Sequence, residues 1–155
     1  MKINMTQWIQ DTISLPVKKA MPILSFPGVQ ITGHTVEEMV RDGHLQAECM
    51  KAVADRFDTG AAFSLMDLSV EAEAFGSPVH YSEDEVPTVT AALVHDEDEA
   101  EALQVPEVGA GRTGECVKGI REVTEMITDR PVLAGIIGPF SLAGRILDMT
   151  EIMIL

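Results

Sequence analysis

Three carboxylates lie where an apolar run gives way to a short helical stretch. Asp67 directly follows Ala61–Met66, which is predicted to form a strand, and Glu71 and Glu73 come next. In enzymes built from parallel strands, the active site lies at the carboxy-terminal ends of the strands, called the mouth of the barrel, so Asp67 is the candidate catalytic residue. The alternative is that Asp67 caps a helix over Val70–Phe75. Glu71 and Glu73 are candidate cofactor-binding residues, and the alternative for both is an exposed first-turn carboxylate favoured by the helix dipole.

A second polar element follows the last apolar run. Gly138, Phe140 and Ser141 come directly after Pro131–Ile137, where a strand is predicted to give way to a helix. Free backbone amides at such a junction can receive an anionic group. These three residues are therefore candidate cofactor-binding residues, and the alternative is a tight turn that binds nothing.

The cysteines and histidines show no arrangement typical of a metal site. Cys49 and Cys116 lie in different predicted helices, far apart and without ligand spacing. No two of the four histidines are three or four residues apart, and His34 is the one expected to reach the mouth. We expect no metal ion bound by these residues and free thiols in a reducing, cytoplasmic setting.

Three apolar runs predict parallel strands, near Ile23–Ser25, Ala61–Leu65 and Val132–Ile137. Helices are predicted at four places, which are Thr6–Leu15, Thr35–Phe57 with a possible break at Gly43, Thr113–Asp129 and the stretch capped by Ser141. The order of strand, helix and strand implies βαβ units and an α/β fold. Three strands are too few to close a sheet.

The charge balance excludes several classes of partner. The chain has 25 acidic residues against 11 basic ones and a formal net charge of −14. Nucleic acid and anionic lipid are disfavoured because the clustered cations that release counterions are missing. No apolar stretch approaches the roughly 18 residues of a membrane span, so we expect neither a membrane anchor nor a signal peptide.

An acidic excursion is predicted from about residue 77 to 112, where prolines and two acidic runs interrupt the pattern. We expect it to face water on the rim of the fold, with a short helix near Glu97–Leu103.

The chain ends on Ile152–Leu155 without a capping glycine, a cation or a polar tail, so we expect the protein to continue beyond it. Open sheet edges and this apolar end predict a homo-oligomer.

Three segments of the chain resemble the first half of the uroporphyrinogen decarboxylase superfamily. They are Pro22–Gly33, Ser64–Gly76 and Arg130–Thr150. The second contains Val-Glu-Ala-Glu-Ala-Phe-Gly and the third begins Arg-Pro-Val-Leu-Ala-Gly-Ile-Ile-Gly-Pro-Phe-Ser; both are similar to the methylcobamide:coenzyme M methyltransferase branch. The resemblance implies one domain over residues 1–155, with about three βα units from the amino-terminal part of a (β/α)8 TIM barrel.

The chain differs from true decarboxylases of this superfamily at two positions. That family has an Arg-Gln-Ala-Gly-Arg motif after the first strand, whose guanidinium groups pair with substrate carboxylates, and here Phe26 and Gln30 stand at the two arginine positions. A tetrapyrrole with many carboxylates needs such bidentate cations. Phe26 and Gln30 instead suit the flat face and amide fringe of a corrin. Asp67 matches the family's aspartate that faces the pyrrole nitrogens.

The resemblance implies a corrinoid-dependent methyltransferase that moves a methyl group from a methylated corrinoid protein to a small thiol such as coenzyme M. In that branch a zinc ion held by one histidine and two cysteines activates the thiol, and those ligands would lie beyond Leu155. Zinc and a corrinoid are thus expected for the full-length protein, and this fragment is expected to be inactive. The alternatives are a uroporphyrinogen decarboxylase-like lyase, or an inert partial barrel that binds a corrinoid protein or self-associates.

Overall fold

A computed structural model describes residues 3–153, and within that range the fold is α/β. Its elements in chain order are α1 Met5–Ser14, α2 Gly28–Thr32, α3 Val36–Arg41, α4 Gly43–Arg56, β1 Ala62–Phe63, α5 Val70–Phe75, β2 Val79–His80, β3 Thr88–Val89, α6 Glu97–Ala102, α7 Arg112–Met126, β4 Val132–Leu133, α8 Pro139–Ile146 and α9 Met149–Ile152. No helix in the described range is long and apolar enough to cross a membrane. Two residues of the apolar end discussed above, Ile154 and Leu155, lie outside that range.

Two of the predicted strands pair in parallel and confirm the βαβ expectation. β1 and β4 are in register at Ala62 with Val132 and at Phe63 with Leu133. The Ser64 N–H extends the ladder by donating to the Leu133 carbonyl at 3.0 Å. The connection between the two strands includes α7, so both strands point the same way and their carboxy-terminal ends share one edge. β2 and β3 form a separate antiparallel pair inside the acidic excursion, which the sequence did not predict.

The first predicted strand is wrong, because residues 21–25 form no strand. The Gly60 N–H donates to the Ala20 carbonyl at 2.9 Å, so the chain approaches β1 just before this stretch without forming a ladder along it. Pro22 has no N–H to donate, and Ile23 is 54% exposed. An apolar run makes a strand only where a partner backbone supplies matching hydrogen bonds.

The third run is shorter than predicted and is not covered on both sides. Only Val132 and Leu133 are strand, and residues 134–136 are exposed. In the described part of the chain β4 has one strand neighbour, β1, so the other edge is free. The third apolar run thus forms a two-residue strand with one paired edge, shorter than the predicted Val132–Ile137.

Helices α4 and α7 form the main core against one face of β1. Met50, Ala54, Val123 and Ile127 are buried together with Ala62 in one cluster. The helices come close at a pair of glycines, since a Cβ added to Gly119 would lie 2.8 Å from the Gly43 carbonyl oxygen. Gly43 also begins α4, as the predicted break required.

The predicted helix starts were right at one place and wrong at two. The helix predicted from Thr35 does begin there, where Thr35 and Glu38 form a capping box at α3. Ser141 is not an N-cap: α8 begins at Pro139, a residue preorganised for a first helical position, and Gly138 precedes it. Thr113 lies inside α7, where its hydroxyl donates to the Ala110 carbonyl at 2.5 Å. The short acidic helix is present as α6.

Candidate functional site

An open, mostly apolar cavity of about 690 Å³ lies beyond the carboxy-terminal ends of β1 and β4. The segments 64–68 and 134–137, which follow the two strands, line it together with parts of α5 and α7 and residues 106–109. Its charged lining residues are Asp67, Glu71 and Glu107, and no lysine or arginine among residues 3–153 lines it. The cavity therefore suits a ligand that is neutral or cationic rather than one with many carboxylates.

Asp67 is held by a buried network at the floor of this site. Its side chain is 0% exposed, and the Arg112 Nη1 donates to its Oδ2 at 2.5 Å. The other carboxylate oxygen, Oδ1, accepts from the Ser69 N–H at 2.8 Å and from the Ser69 hydroxyl at 2.6 Å. The second arginine nitrogen, Nη2, donates to the same hydroxyl at 2.8 Å. Both oxygens of Asp67 are thus occupied, and one of them stabilises the turn that leads into α5.

Glu73 connects Arg112 to Tyr81, a residue of the acidic excursion. The Arg112 Nε and the Tyr81 hydroxyl both donate to its carboxylate. Burial, followed by the hydrogen bond to Glu73, raises the pKa of Tyr81 to about 12. Burial alone would lower the pKa of Arg112, but hydrogen bonds and charges from Asp67 and Glu73 outweigh it, so the pKa of the guanidinium is raised. The arginine stays charged and is engaged by two carboxylates and the Ser69 hydroxyl.

Glu71 links α5 to the end of the other strand. Its Oε1 accepts from the Ile137 N–H at 3.3 Å, and its side chain lines the cavity. Asp67 and Glu71 are therefore brought together, whereas Glu73 points to Arg112 and Tyr81. Gly138, Phe140 and Ser141 follow directly after Ile137, are exposed, and do not line the cavity.

The profile of the uroporphyrinogen decarboxylase (URO-D) family matches residues 9–154. The chain belongs to this family. Among curated relatives, the methylcobamide:CoM methyltransferase of Methanosarcina acetivorans is 29% identical and that of Methanosarcina mazei 28% identical, each over 141 residues that cover 83% of this chain and 42% of the relative. The resemblance inferred from the sequence is confirmed.

A solved structure shares the fold. A methyltransferase from Methanosarcina mazei superposes with a TM-score of 0.78 at 20% identity, covering 98% of this chain and 48% of that one. The chain thus spans less than half the length of the relatives that it matches.

Three other candidate residues lie away from the cavity. Phe26 packs against the buried cluster of Val36, Met39, Val40 and Cys49. Gln30 is exposed on α2, and neither residue lines the cavity. His34 also lies outside the lining, and its ring nitrogens are 3.8 Å from Glu38 and 3.6 Å from Glu48. The structure does not bring these three side chains to Asp67.

The two thiols and the histidines form no zinc site in residues 3–153, where no three metal-binding side chains converge. Cys49 is buried near the Thr32 hydroxyl, whereas Cys116 lines the cavity. Burial raises the pKa of Cys116 to about 11, so this thiol is a poor nucleophile or ligand. These residues do not fit a zinc ion.

Sequence reasoning missed Arg112 and the acidic partners of the histidines. The His44 Nδ1 lies 2.8 Å from a Glu122 carboxylate oxygen and so joins α4 to α7, and this hydrogen bond is the main cause of the raised pKa of His44. Three histidines also have a glutamate four residues later, at Glu38, Glu48 and Glu99. That spacing was present in the sequence, whereas nothing local indicated Arg112.

Proposed function

We propose that this chain is the amino-terminal part, about three βα units, of a TIM-barrel methyltransferase that moves a methyl group from a methylated corrinoid protein to a small thiol such as coenzyme M. Relatives named as methylcobamide:CoM methyltransferases support this proposal. The observation that carries it is the lining of the cavity, which is mostly apolar and has no lysine or arginine from the described part of the chain. A neutral, largely apolar cofactor surface suits such a lining better than a polycarboxylate does.

The same observation argues against a porphyrinogen decarboxylase. A substrate with many carboxylates needs guanidinium groups in a water-poor cleft. Arg112 is the nearby arginine, and Asp67 and Glu73 already neutralise it. Phe26 and Gln30 offer no charge at the positions where decarboxylases have arginines. The acidic lining would repel the substrate further.

Each candidate residue has a role in this proposal. Asp67 and Glu71 orient the bound group through a fixed negative field at the strand ends, and Glu73 holds Arg112 in place. The exposed residues Gly138, Phe140 and Ser141 contact the polar edge of the corrinoid, and Phe26, Gln30 and His34 contact a part of it that lies outside the cavity. Zinc, when bound by residues outside this chain, would supply the thiolate by lowering the pKa of the thiol.

A chimera tests the proposal. The segment of the Methanosarcina acetivorans methyltransferase that matches this chain would be replaced by it, and methyl transfer from methylcobalamin to coenzyme M would be followed by absorbance. We expect transfer to be retained and to fall when Asp67 is replaced by asparagine. A folded chimera that binds a uroporphyrinogen analogue and does not respond to methylcobalamin would contradict the proposal.

Phe26 and Gln30, which stand where decarboxylases have arginines, supply a variant that tests the argument from charge. We expect the pair Phe26→Arg and Gln30→Arg to be needed, and not sufficient, for porphyrinogen binding, because each charge-assisted carboxylate–guanidinium contact contributes on the order of 1.5–3 kcal/mol. Calorimetric titration of the chimera with the analogue measures this. Tight binding without the two arginines would show that the argument from charge is wrong.

A further inference from the structure

Tyr81 connects the acidic excursion to the body of the fold. It follows β2, and its ring packs against the buried cluster of α3 and α4 that contains Met39 and Val40. The backbone is attached there as well, because the Val36 N–H donates to the Glu83 carbonyl at 2.7 Å. Tyr81 itself is not among the residues that line the cavity. Any influence of Tyr81 on the cavity must therefore pass through other residues.

Two parts of the Tyr81 side chain act on Arg112. The guanidinium carbon of Arg112 lies over the ring at 5.1 Å from its centroid, within the range of cation–π attraction. The hydroxyl donates to one carboxylate oxygen of Glu73, and the other oxygen of Glu73 accepts from the Arg112 Nε. Tyr81 thus constrains Arg112 directly through its ring and indirectly through Glu73.

The hydroxyl is the part of Tyr81 that fixes Glu73. The Glu73 side chain is 26% exposed, so water competes for any of its oxygens that lacks a protein donor. Burial raises the pKa of Tyr81 to about 12, so the hydroxyl keeps its proton and remains a donor at neutral pH. Removing this donor would let the Glu73 carboxylate rotate towards water and would weaken its contact with the Arg112 Nε.

Arg112 passes this constraint on to Asp67. A guanidinium is planar, so contacts at all three of its nitrogens fix both its plane and its rotation. Besides Nε, the Arg112 Nη1 donates to Asp67 at 2.5 Å and Nη2 donates to the Ser69 hydroxyl at 2.8 Å. Asp67 lies in the segment that lines the cavity. Because the Arg112–Asp67 pair is buried, a rotation of the guanidinium must move the carboxylate with it.

We propose that Tyr81 is a positioning residue for Asp67. Its hydroxyl fixes Glu73, and Glu73 fixes the plane of Arg112. Arg112 then sets where the charge of Asp67 lies at the floor of the cavity. The consequence for catalysis rests on the proposed function, in which this charge orients the bound group.

The alternative is that Tyr81 only fills space beside α3. Tyr81→Phe separates the two roles, because phenylalanine keeps the ring and its contact with Arg112 and loses the hydroxyl alone. Ser82→Ala is the matched control, since it removes a hydroxyl from the next residue, where the Ser82 side chain donates to Asp84 at 2.7 Å. A residue that only packs would tolerate phenylalanine as well as the control tolerates alanine.

Hydrogen exchange of the Arg112 Nε–H, followed by NMR in the 155-residue chain, tests the structural part. We expect Tyr81→Phe to accelerate this exchange about tenfold or more, because the contact with Glu73 opens more often. Ser82→Ala should leave the rate within about twofold of the original value. Circular dichroism should be the same for both variants. An exchange rate that Tyr81→Phe leaves unchanged would overturn the inference.

Kinetics of the chimera described above test the catalytic part. A misplacement of about 1 Å can cost a hundredfold in rate; since Arg112 keeps two of its three hydrogen-bonded contacts, we expect Tyr81→Phe to lower kcat about tenfold. The KM for coenzyme M should stay within about twofold, because the effect is on orientation in the transition state. Ser82→Ala should change neither constant.

A second background shows whether the hydroxyl acts through Glu73. When Glu73→Ala is already present, Tyr81→Phe should change kcat by less than about twofold. An equal loss in both backgrounds, or an active chimera whose kcat Tyr81→Phe does not change, would overturn the inference. A chimera without methyl transfer would count against the proposed function, and the exchange of the Arg112 Nε–H would then decide for or against Tyr81.

Discussion

Replacing Arg112 with methionine should lower the free energy of unfolding by about 3–5 kcal/mol, the cost of removing one partner from a buried ion pair. The two partners are almost completely enclosed, since the side chains of Arg112 and Asp67 are 6% and 0% exposed. Methionine fills a similar apolar volume and cannot donate. The substitution would leave Asp67 Oδ2 without its cation in a site that water does not reach.

Most of the expected loss in the free energy of unfolding comes from Asp67. Glu73 is 26% exposed and keeps the hydroxyl of Tyr81 as a donor, so its loss of Arg112 costs less. Ser69 loses one hydrogen bond but still donates to Asp67. Since a small domain is stable by only about 5–15 kcal/mol, the variant should lose a large part of its stability.

Urea denaturation followed by circular dichroism measures the effect, and a double-mutant cycle isolates the pair. Asp67→Asn removes the charge and nearly preserves the shape, so the double variant should be more stable than the sum of the two single losses predicts. Arg41→Met is the control, because the Arg41 guanidinium lies over the Tyr81 ring at 3.7 Å and the side chain is 49% exposed; its loss should cost about 1 kcal/mol or less. A loss below about 1 kcal/mol for Arg112→Met, or a strictly additive cycle, would refute the reasoning.

Two further predictions concern the contact between α4 and α7. The folded pKa of His44 is raised above 6.5, chiefly by the Glu122 hydrogen bond, so its stabilisation is complete below that value and is lost as the pH rises through the folded pKa. His44→Gln should therefore lower the melting temperature at acidic pH and leave it unchanged at alkaline pH; a pH-independent difference would contradict this. Gly119→Ala would place a Cβ 2.8 Å from the Gly43 carbonyl oxygen and should cost about 1–3 kcal/mol in urea denaturation. The control Gly135→Ala meets nothing closer than 3.5 Å, and an equal loss there would show that crowding is not the cause.

Features set by neighbouring residues could be predicted from the sequence. The capping box of Thr35 and Glu38 and the break at Gly43 depend on hydrogen bonds within one turn, and both are present. The residues 21–25 were mistaken for a strand because their composition is that of a buried strand. A strand also needs a partner backbone, and composition carries no information on where that partner lies.

The site was only half predictable for the same reason. Asp67 could be found, because a carboxylate directly after an apolar run marks a strand end. Its partner Arg112 lies 45 residues away, behind the excursion, and no periodic pattern relates the two. Chemistry offered one indication. A carboxylate is rarely buried without a cationic partner, so a buried Asp67 implied a partner among the 11 lysines and arginines of the chain.

The network also limits what Asp67 can do in a reaction. One carboxylate oxygen accepts two hydrogen bonds from Ser69, and the other accepts from Arg112. A bound group could reach either oxygen only by displacing Ser69 or Arg112, because the side chain of Asp67 is 0% exposed. Asp67 is therefore suited to a fixed electrostatic role. If it acts on a bound group, it does so by orienting that group in the field of its charge, with Arg112 setting the direction, and not as a general base.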